Sequence, residues 1–278
     1  MDDKEKNTLL LEEQIRIEGT VSKIKHRVAV FSGKGGVGKT TVSVNLAYSL
    51  QLQGFSVGIL DADITGPNVA KMLGVNDELI VFDKKIIPYE KYHAKMVSIA
   101  GLIEPGQPVI WRGPLRSKII NQFLADTEWG ELDYLIADLP PGTGDEILTI
   151  AQKMKPDYAV IVTTPQEVSI IDAERAINMA KKLEINSIGI IENMSGFVCP
   201  HCSAVLNIFG EGGGERLADE IGVQFLGSIP IDIDARILGD KGKPIVIEKP
   251  ECEVAKSFKL ISCSINNSFK EAEKEASN

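Results

Sequence analysis

The residues with the most chemistry in this chain are Ser32-Gly33-Lys34-Gly35-Gly36-Val37-Gly38-Lys39-Thr40-Thr41, in which Gly33, Gly38, Lys39 and Thr40 satisfy G-x-x-x-x-G-K-[ST]. Glycines at such positions permit positive φ and let backbone N–H groups converge on phosphate oxygens. A helix beginning at Thr40 adds the partial positive charge of its N-terminus. Lys39 then reaches the β- and γ-phosphates and the Thr40 hydroxyl faces a Mg²⁺ ion, so the run from Gly33 to Thr41 predicts a nucleotide site. Lys34, second in the loop, is a cation that the phosphate cradle does not demand. It either points to solvent or reaches across a dimer interface to a second copy's phosphates, stabilising charge that develops during γ-phosphoryl transfer.

Three further clusters follow in order. Leu60-Asp61-Ala62-Asp63 puts two carboxylates at the C-terminal end of an expected strand, where open α/β sheets bind ligands. Asp61 is placed to hold a Mg²⁺-bound water and Asp63 to orient an attacking water; the alternative is that they cap the helix expected near Asn68. Tyr134-Leu135-Ile136-Ala137-Asp138 is a buried-strand pattern delivering one carboxylate to the same metal. The run Leu139-Pro140-Pro141-Gly142-Thr143-Gly144-Asp145 behind it is stiff but hinged, suited to sensing a γ-phosphate. Finally, Cys199-Pro200-His201-Cys202 offers two thiolates, whereas a tetrahedral zinc site or a [4Fe–4S] cluster wants four ligands. A second copy across a two-fold axis would supply the other two. A bridging [4Fe–4S] cluster, a structural Zn²⁺ and a dithiol/disulfide pair are the competing readings, with His201 a spacer. Cys252 and Cys263 read as small packed hydrophobes.

The chain around these clusters has 278 residues, 44% hydrophobic and 25% charged, enough to bury a core without disulfides. A formal net charge of −9 argues against nucleic acid or an anionic membrane as partner, since both need a positive surface. No apolar run approaches about 18 residues and the opening Met-Asp-Asp-Lys-Glu-Lys is neither basic nor apolar, so a cytoplasmic location is expected. Four cysteines fit a reducing compartment. Residues 1–26, acidic with one apolar patch at Leu9-Leu10-Leu11, are expected to form a frayed arm with a short helix. Beyond them, short β-branched runs at 28–31, 56–60, 96–100, 134–137, 158–163, 188–191 and 225–229 alternate with helical periods at 40–53, 68–73, 115–125, 145–154, 169–183, 213–220 and 253–276. The alternation predicts one α/β domain over 27–278: a doubly wound, mostly parallel sheet of P-loop NTPase type with helices on both faces.

Gly33-Lys34-Gly35-Gly36-Val37-Gly38-Lys39-Thr40 resembles the deviant phosphate loop of the dimeric ATPases that include MinD, ParA, the nitrogenase iron protein and the Mrp/ApbC proteins. The resemblance implies that Lys34 contacts nucleotide in a partner copy and that Asp63 positions the hydrolytic water. It also implies that Asn193 hydrogen-bonds the adenine edge while Pro230 to Asp232, including Asp232 itself, pack on its face. The segment Glu192-Asn193-Met194-Ser195-Gly196-Phe197-Val198-Cys199-Pro200-His201-Cys202 is similar to the one that marks the Mrp/ApbC branch of iron–sulfur cluster carriers. Trp111-Arg112-Gly113-Pro114 recurs in that branch without an assigned chemical role. The likeness runs from about residue 27 to about residue 244, and residues 1–26 hold no Cys, as in the short form of the family. It implies ATP and Mg²⁺ as cofactors, and a homodimer that carries a shared [4Fe–4S] cluster on Cys199 and Cys202 to apo-proteins. The alternative is a MinD/ParA-type positioning ATPase with a structural zinc, against which the net charge and the acidic tail with Glu271, Glu273 and Glu275 count. An electron donor like the nitrogenase iron protein would want a cysteine after Asp138, and residues 138–146 contain none.

Overall fold

The computed structural model describes residues 3–64, 66–102, 113–142 and 144–276. Trp111, Arg112 and Thr143, all in segments singled out above, lie outside the described residues. The chain begins with α1 (Asp3–Val21) and enters the sheet at β1 (Ile24–Phe31). There follow α2 (Lys39–Gln51), β2 (Val57–Asp61), the single turn α3 (Val69–Met72), a hairpin of β3 (Ile80–Phe82) and β4 (Lys85–Ile87), and the pair β5 (Tyr89–Lys91) and β6 (Ala94–Ser98). Next come α4 (Gly113–Asp126), β7 (Leu132–Asp138), α5 (Asp145–Met154), β8 (Tyr158–Thr163), α6 (Glu167–Lys182), β9 (Ser187–Val198) and β10 (Val205–Leu206). The chain closes with α7 (Gly213–Ile221), β11 (Gln224–Ile231), α8 (Ile233–Asp240), α9 (Ile245–Glu248) and α10 (Glu253–Ala276).

The main sheet runs β10-β9-β8-β1-β7-β2-β6-β5, with β11 also paired to β9. Its central pairs are parallel, and only β5 and β10 at the two ends join antiparallel. The α/β, mostly parallel architecture expected from the alternation of periods is therefore present. Each central strand is apolar along its whole length because it serves two cores. Ala29 and Phe31 of β1 point into a core closed by α1, α4, α5, α6 and α7, whereas Val28 and Val30 point into one closed by α2, α3, α9 and α10. The parallel register sets Asp61 beside Asp138, and Asp61 beside Ser98. Strand pairing alone thus gathers the candidate metal carboxylates at one edge of the sheet.

The first 26 residues differ from the expected frayed arm. They hold a 19-residue helix and the start of β1. Ile17 is completely buried and Val21 nearly so, one turn apart on one face of α1. Asn121 Nδ2 donates to Glu13 Oε2 at 2.9 Å, Thr20 Oγ1 donates to the Ala125 carbonyl at 3.2 Å, and Arg16 pairs with Asp126 at 3.1 Å, so α1 is laid along α4. The conspicuous Leu9-Leu10-Leu11 remains exposed. Its clustering drew attention away from the sparse pair that buries, because the partners of Ile17 and Val21 lie far along the chain. Elements shorter than five residues, such as β3, β4, β10 and α9, gave no periodic signal. Ile17→Ala should lower unfolding free energy by about 2–5 kcal/mol in urea titration, through lost burial plus a cavity. Nucleotide affinity should stay unchanged.

Candidate nucleotide site and cysteine hairpin

The phosphate loop leaves the central strand β1 and turns directly into α2, whose N-cap is Gly38. Gly38 has φ +85°, and a Cβ there would lie 2.2 Å from Asn193 Nδ2 on β9. Gly33 is required for a different reason: its Cβ would sit 2.0 Å from the Asp172 carbonyl oxygen on α6. Both glycines therefore allow neighbouring elements to press against the loop. Lys34 is half-buried in the same turn.

Asp138, fully buried at the end of β7, organises the start of α2. Thr40 Oγ1 donates to its Oδ2 at 2.8 Å and Ser43 Oγ to its Oδ1 at 2.6 Å. Lys39 Nζ lies 2.8 Å from Oδ1 as an ion pair, and makes no other hydrogen bond, so further N–H groups of the ammonium remain for phosphate oxygens. Asp61 is equally buried: Oδ2 accepts from Ser98 Oγ at 2.8 Å and from the Val69 amide at 3.3 Å, while Oδ1 has no partner. Burial, with the neighbouring Asp138 carboxylate, pushes the Asp61 carboxyl up to about 8. Ser32 Oγ is also buried without a partner. Buried polar atoms left unsatisfied are uncommon. Here an ammonium, a hydroxyl and a carboxylate oxygen lie in or beside one cleft of about 400 Å³, lined by Ser32, Lys39, Thr40, Asp63, Arg236 and others. That set fits a phosphate chain with its cation. Thr40, Asp61 and Asp138 are the groups that would hold Mg²⁺ or its waters, and the ion would neutralise phosphate charge.

Asp63 is largely buried at the cleft, and its Oδ1 accepts from the Gly66 amide at 3.1 Å. The turn it stabilises precedes α3, so local capping and a position at the cleft coexist. The residues implied for adenine are placed differently. Asn193 Nδ2 donates 2.8 Å to the Val37 carbonyl inside the phosphate loop, and Asp232 accepts from the Ala235 amide at 2.8 Å as the N-cap of α8. Asn193, Pro230 and Asp232 do not line the cleft, whereas Ala235, Arg236, Gly239 and Asp240 of α8 do. Three residues that sequence reasoning missed matter here. Ser43 follows Lys39 by one helical turn, a spacing that could have flagged it. Ser98 is legible only once β2 and β6 are paired, and Ser32 only once its hydroxyl is seen to lack a partner.

The cysteines sit at the tip of a hairpin. Strand β9 does not stop at residue 191 as expected but runs on to Val198, bending at a bulge where Met194 has φ +58° and Gly196 φ +78°. It then pairs antiparallel with β10, Val198 opposite Val205. At the tip the Cys199 amide donates to the Ala204 carbonyl and the Ser203 amide to the Cys199 carbonyl, both at 2.9 Å. The amides of His201 and Cys202 point at the Cys199 sulfur and, with the Cys202 side chain, hold its thiol below the usual cysteine range. Cys199 is half-buried, Cys202 exposed, and both are free. Among the described residues no cluster of three or more His, Cys, Asp or Glu side chains could hold a metal ion.

A phosphate loop between the central strand of a parallel sheet and its helix, with an aspartate closing the neighbouring strand, defines a P-loop nucleotide-binding protein. The chain belongs to the ParA family described as NUBPL iron-transfer P-loop NTPases, whose family model matches residues 23–266. It is 55% identical over 257 residues to the iron–sulfur cluster carrier protein of Methanocaldococcus jannaschii, covering 91% of this chain and 88% of that protein. To the iron–sulfur cluster transfer protein NUBPL of Dictyostelium discoideum it is 43% identical over 255 residues, covering 91% and 78%. Among solved structures, a nucleotide-binding protein of Archaeoglobus fulgidus in complex with ADP, in which cobalt was found, matches with TM-score 0.75 at 41% identity over 86% of this chain and 94% of that one. The cell-division ATPase MinD of Pyrococcus furiosus shares the fold, with TM-score 0.66 at 23% identity over 87% and 99%. No helix of the described residues is long and apolar enough to cross a membrane.

The raised Asp61 carboxyl gives a pH dependence with a definite sign. Between the ordinary carboxylate value near about 4 and about 8, the unfolded chain has lost this proton and the folded chain keeps it. The Asp61 contribution to nucleotide-free stability is therefore full below that window and declines as pH rises through it. Asp61→Asn should flatten this decline in denaturant titrations, and should abolish the proton released when Mg²⁺ and nucleotide bind at pH 7, read by calorimetry in buffers of different ionisation enthalpy.

Proposed function

We propose that this chain hydrolyses ATP as a homodimer and carries an iron–sulfur cluster, shared between copies on Cys199 and Cys202, to apo-proteins. The observation that carries the reading is that one strand, β9, touches an anion-ready phosphate loop through Asn193 and leads directly into a tip bearing two free cysteines, in a member of this family. The named relatives are described as iron–sulfur cluster carrier and transfer proteins, in keeping with such a cargo. Two sulfurs per chain leave the cluster's ligand set half-filled, and a second copy completes it to four. Val198, Val205, Leu206 and Ile208 around the tip are exposed, an apolar collar that a second copy would cover.

In the hydrolytic step Asp63 orients a water toward the γ-phosphorus. The water oxygen bonds to that phosphorus as the bond to the bridging oxygen of ADP breaks, the water's proton passes to the released phosphate or to solvent, and ADP and phosphate leave. Lys39 and the loop amides hold the β- and γ-phosphates, and Lys34 of the second copy meets the developing charge. Nucleotide state then biases how the hairpins meet and how firmly the cargo is held.

Protein purified and reconstituted without oxygen should contain about two irons and two acid-labile sulfides per chain, lost in Cys199→Ser/Cys202→Ser. About half a zinc per chain without sulfide would instead favour a positioning ATPase with a structural metal clasp. Lys39→Ala should abolish nucleotide binding in equilibrium dialysis. Asp63→Ala should bind ATP and lose hydrolysis by about 100-fold or more, since that is what a positioned proton acceptor or water-orienting group contributes.

A further inference from the structure

Glu192 is a completely buried carboxylate that neither the nucleotide chemistry nor the thiolate chemistry uses. Its Oε1 accepts from Ser195 Oγ at 2.6 Å and from the Gly212 amide at 3.0 Å, and its Oε2 accepts from the Gly214 amide at 2.6 Å. Those amides open α7, whose N-cap is Gly212 with φ +70°. The chain between them, residues 193–211, contains the bulge, the cysteine tip and β10. One carboxylate therefore pins both ends of the cysteine-bearing excursion. The fit is close: a Cβ at Gly214 would lie 3.1 Å from the Glu192 Cβ.

The excursion is held together within itself as well. Cys199 and Ser203 close the tip through backbone hydrogen bonds, β10 pairs with β9, and Gly210 N donates to the Asn207 carbonyl at 3.1 Å. Its posture is consequently set at its base. The residue next to Glu192 is Asn193, which on an extended strand points to the opposite side. Asn193 holds the Val37 carbonyl of the phosphate loop at 2.8 Å. Adjacent side chains of one strand thus grip the two candidate sites from opposite sides.

We propose that Glu192 is a positioning residue that fixes the cysteine excursion to the strand held by Asn193, so that nucleotide occupancy of the phosphate loop sets the reactivity of the Cys199 and Cys202 thiols. Nucleotide recruits the Val37–Gly38 backbone, Asn193 passes the change to β9, and the Glu192 clamp carries it to the excursion base instead of letting the bulge absorb it. The inference rests on the nucleotide-binding half of the proposed function. It requires neither a bound cluster nor hydrolysis.

The test uses the full chain without metal, in a Cys252→Ser/Cys263→Ser background so that only the hairpin thiols are read. Iodoacetamide labelling of Cys199 and Cys202 is timed by peptide mass spectrometry, with and without Mg²⁺ and a non-hydrolysable ATP analogue, and the affinity for that analogue is measured separately. In the parent the labelling rate should change at least about fivefold on nucleotide binding, the low end of ordinary coupling between sites. Glu192→Gln exchanges one acceptor oxygen for an NH₂ that cannot receive an amide proton. It should bring the ratio close to one while leaving analogue affinity unchanged. Ser195→Ala, which deletes a single donor and spares the backbone clamp, should fold normally and reduce the ratio in part; it serves where Glu192→Gln does not fold. A parent that binds the analogue without changing its labelling rate overturns the proposal. So does a folded Glu192→Gln with the parent's ratio or with lost affinity, or a Ser195→Ala with the full ratio. A parent that binds no analogue refutes the ATPase reading instead, and a nucleotide-dependent ratio in protein that never holds iron leaves this coupling standing while the cargo reading fails.

Discussion

The buried Asp138 carboxylate is the interaction on which the rest of the site depends. Removed from water at the end of a central strand, it is tolerable only with counter-charge and donors around it, and α2 supplies Lys39, Thr40 and Ser43 from its first two turns. That requirement fixes where the helix must begin. It draws the phosphate loop tight over the sheet edge and presents Lys39 with donors still to satisfy. The Asp138 carbonyl accepts from the Ala62 amide at 2.9 Å, tying the end of β7 to the segment that carries Asp63. Replacing the carboxylate would leave a buried ammonium without its counter-ion, a more severe change than losing one hydrogen bond.

Asp61 shows the other side of the same arrangement. Burial first, and then repulsion by the Asp138 carboxylate beside it, hold its proton far above the ordinary range, with Lys39 as the nearby cation that counts the other way. A protein built for stability alone would not place two acids side by side in a dry sheet edge. A dication with its waters would offset that repulsion, and the paired acids fit such an ion better than they fit a purely structural network.

Much of this was legible in the sequence, and the reason is locality. Gly33 to Thr41 act through their own backbone and through the helix they start, so the spacing of glycines and the lysine already determines what the loop can do. The apolar runs ending in Asp61 and Asp138 likewise announced strands that deliver a carboxylate. What escaped was non-local. Ile17 finds its partners across α4, Ser98 meets Asp61 only through sheet register, and Asn193 points into the phosphate loop because Gly38 has no side chain in its way. The end of β9 was misjudged for a related reason: the β-branched run stops at residue 191, yet the strand continues through the polar Glu192 and Asn193 and the bulge at Met194 and Gly196, held by its pairing with β11.

That continuation explains how one small domain can serve a phosphate site and a sulfur site together. Loops that carry function usually leave a sheet edge and move independently of it. Here the cysteine tip is an extension of an interior strand, paired with β8 and β11 along the same stretch that contacts the loop. A rigid strand transmits displacement, and a flexible tether dissipates it. The bulge at Met194 and Gly196 would make the strand such a tether were its base free to swing. Glu192, bonded to the start of α7 on one side and to Ser195 on the other, spans Met194, whose left-handed conformation is uncommon for a side chain of its kind, and so ties the bulge across its base.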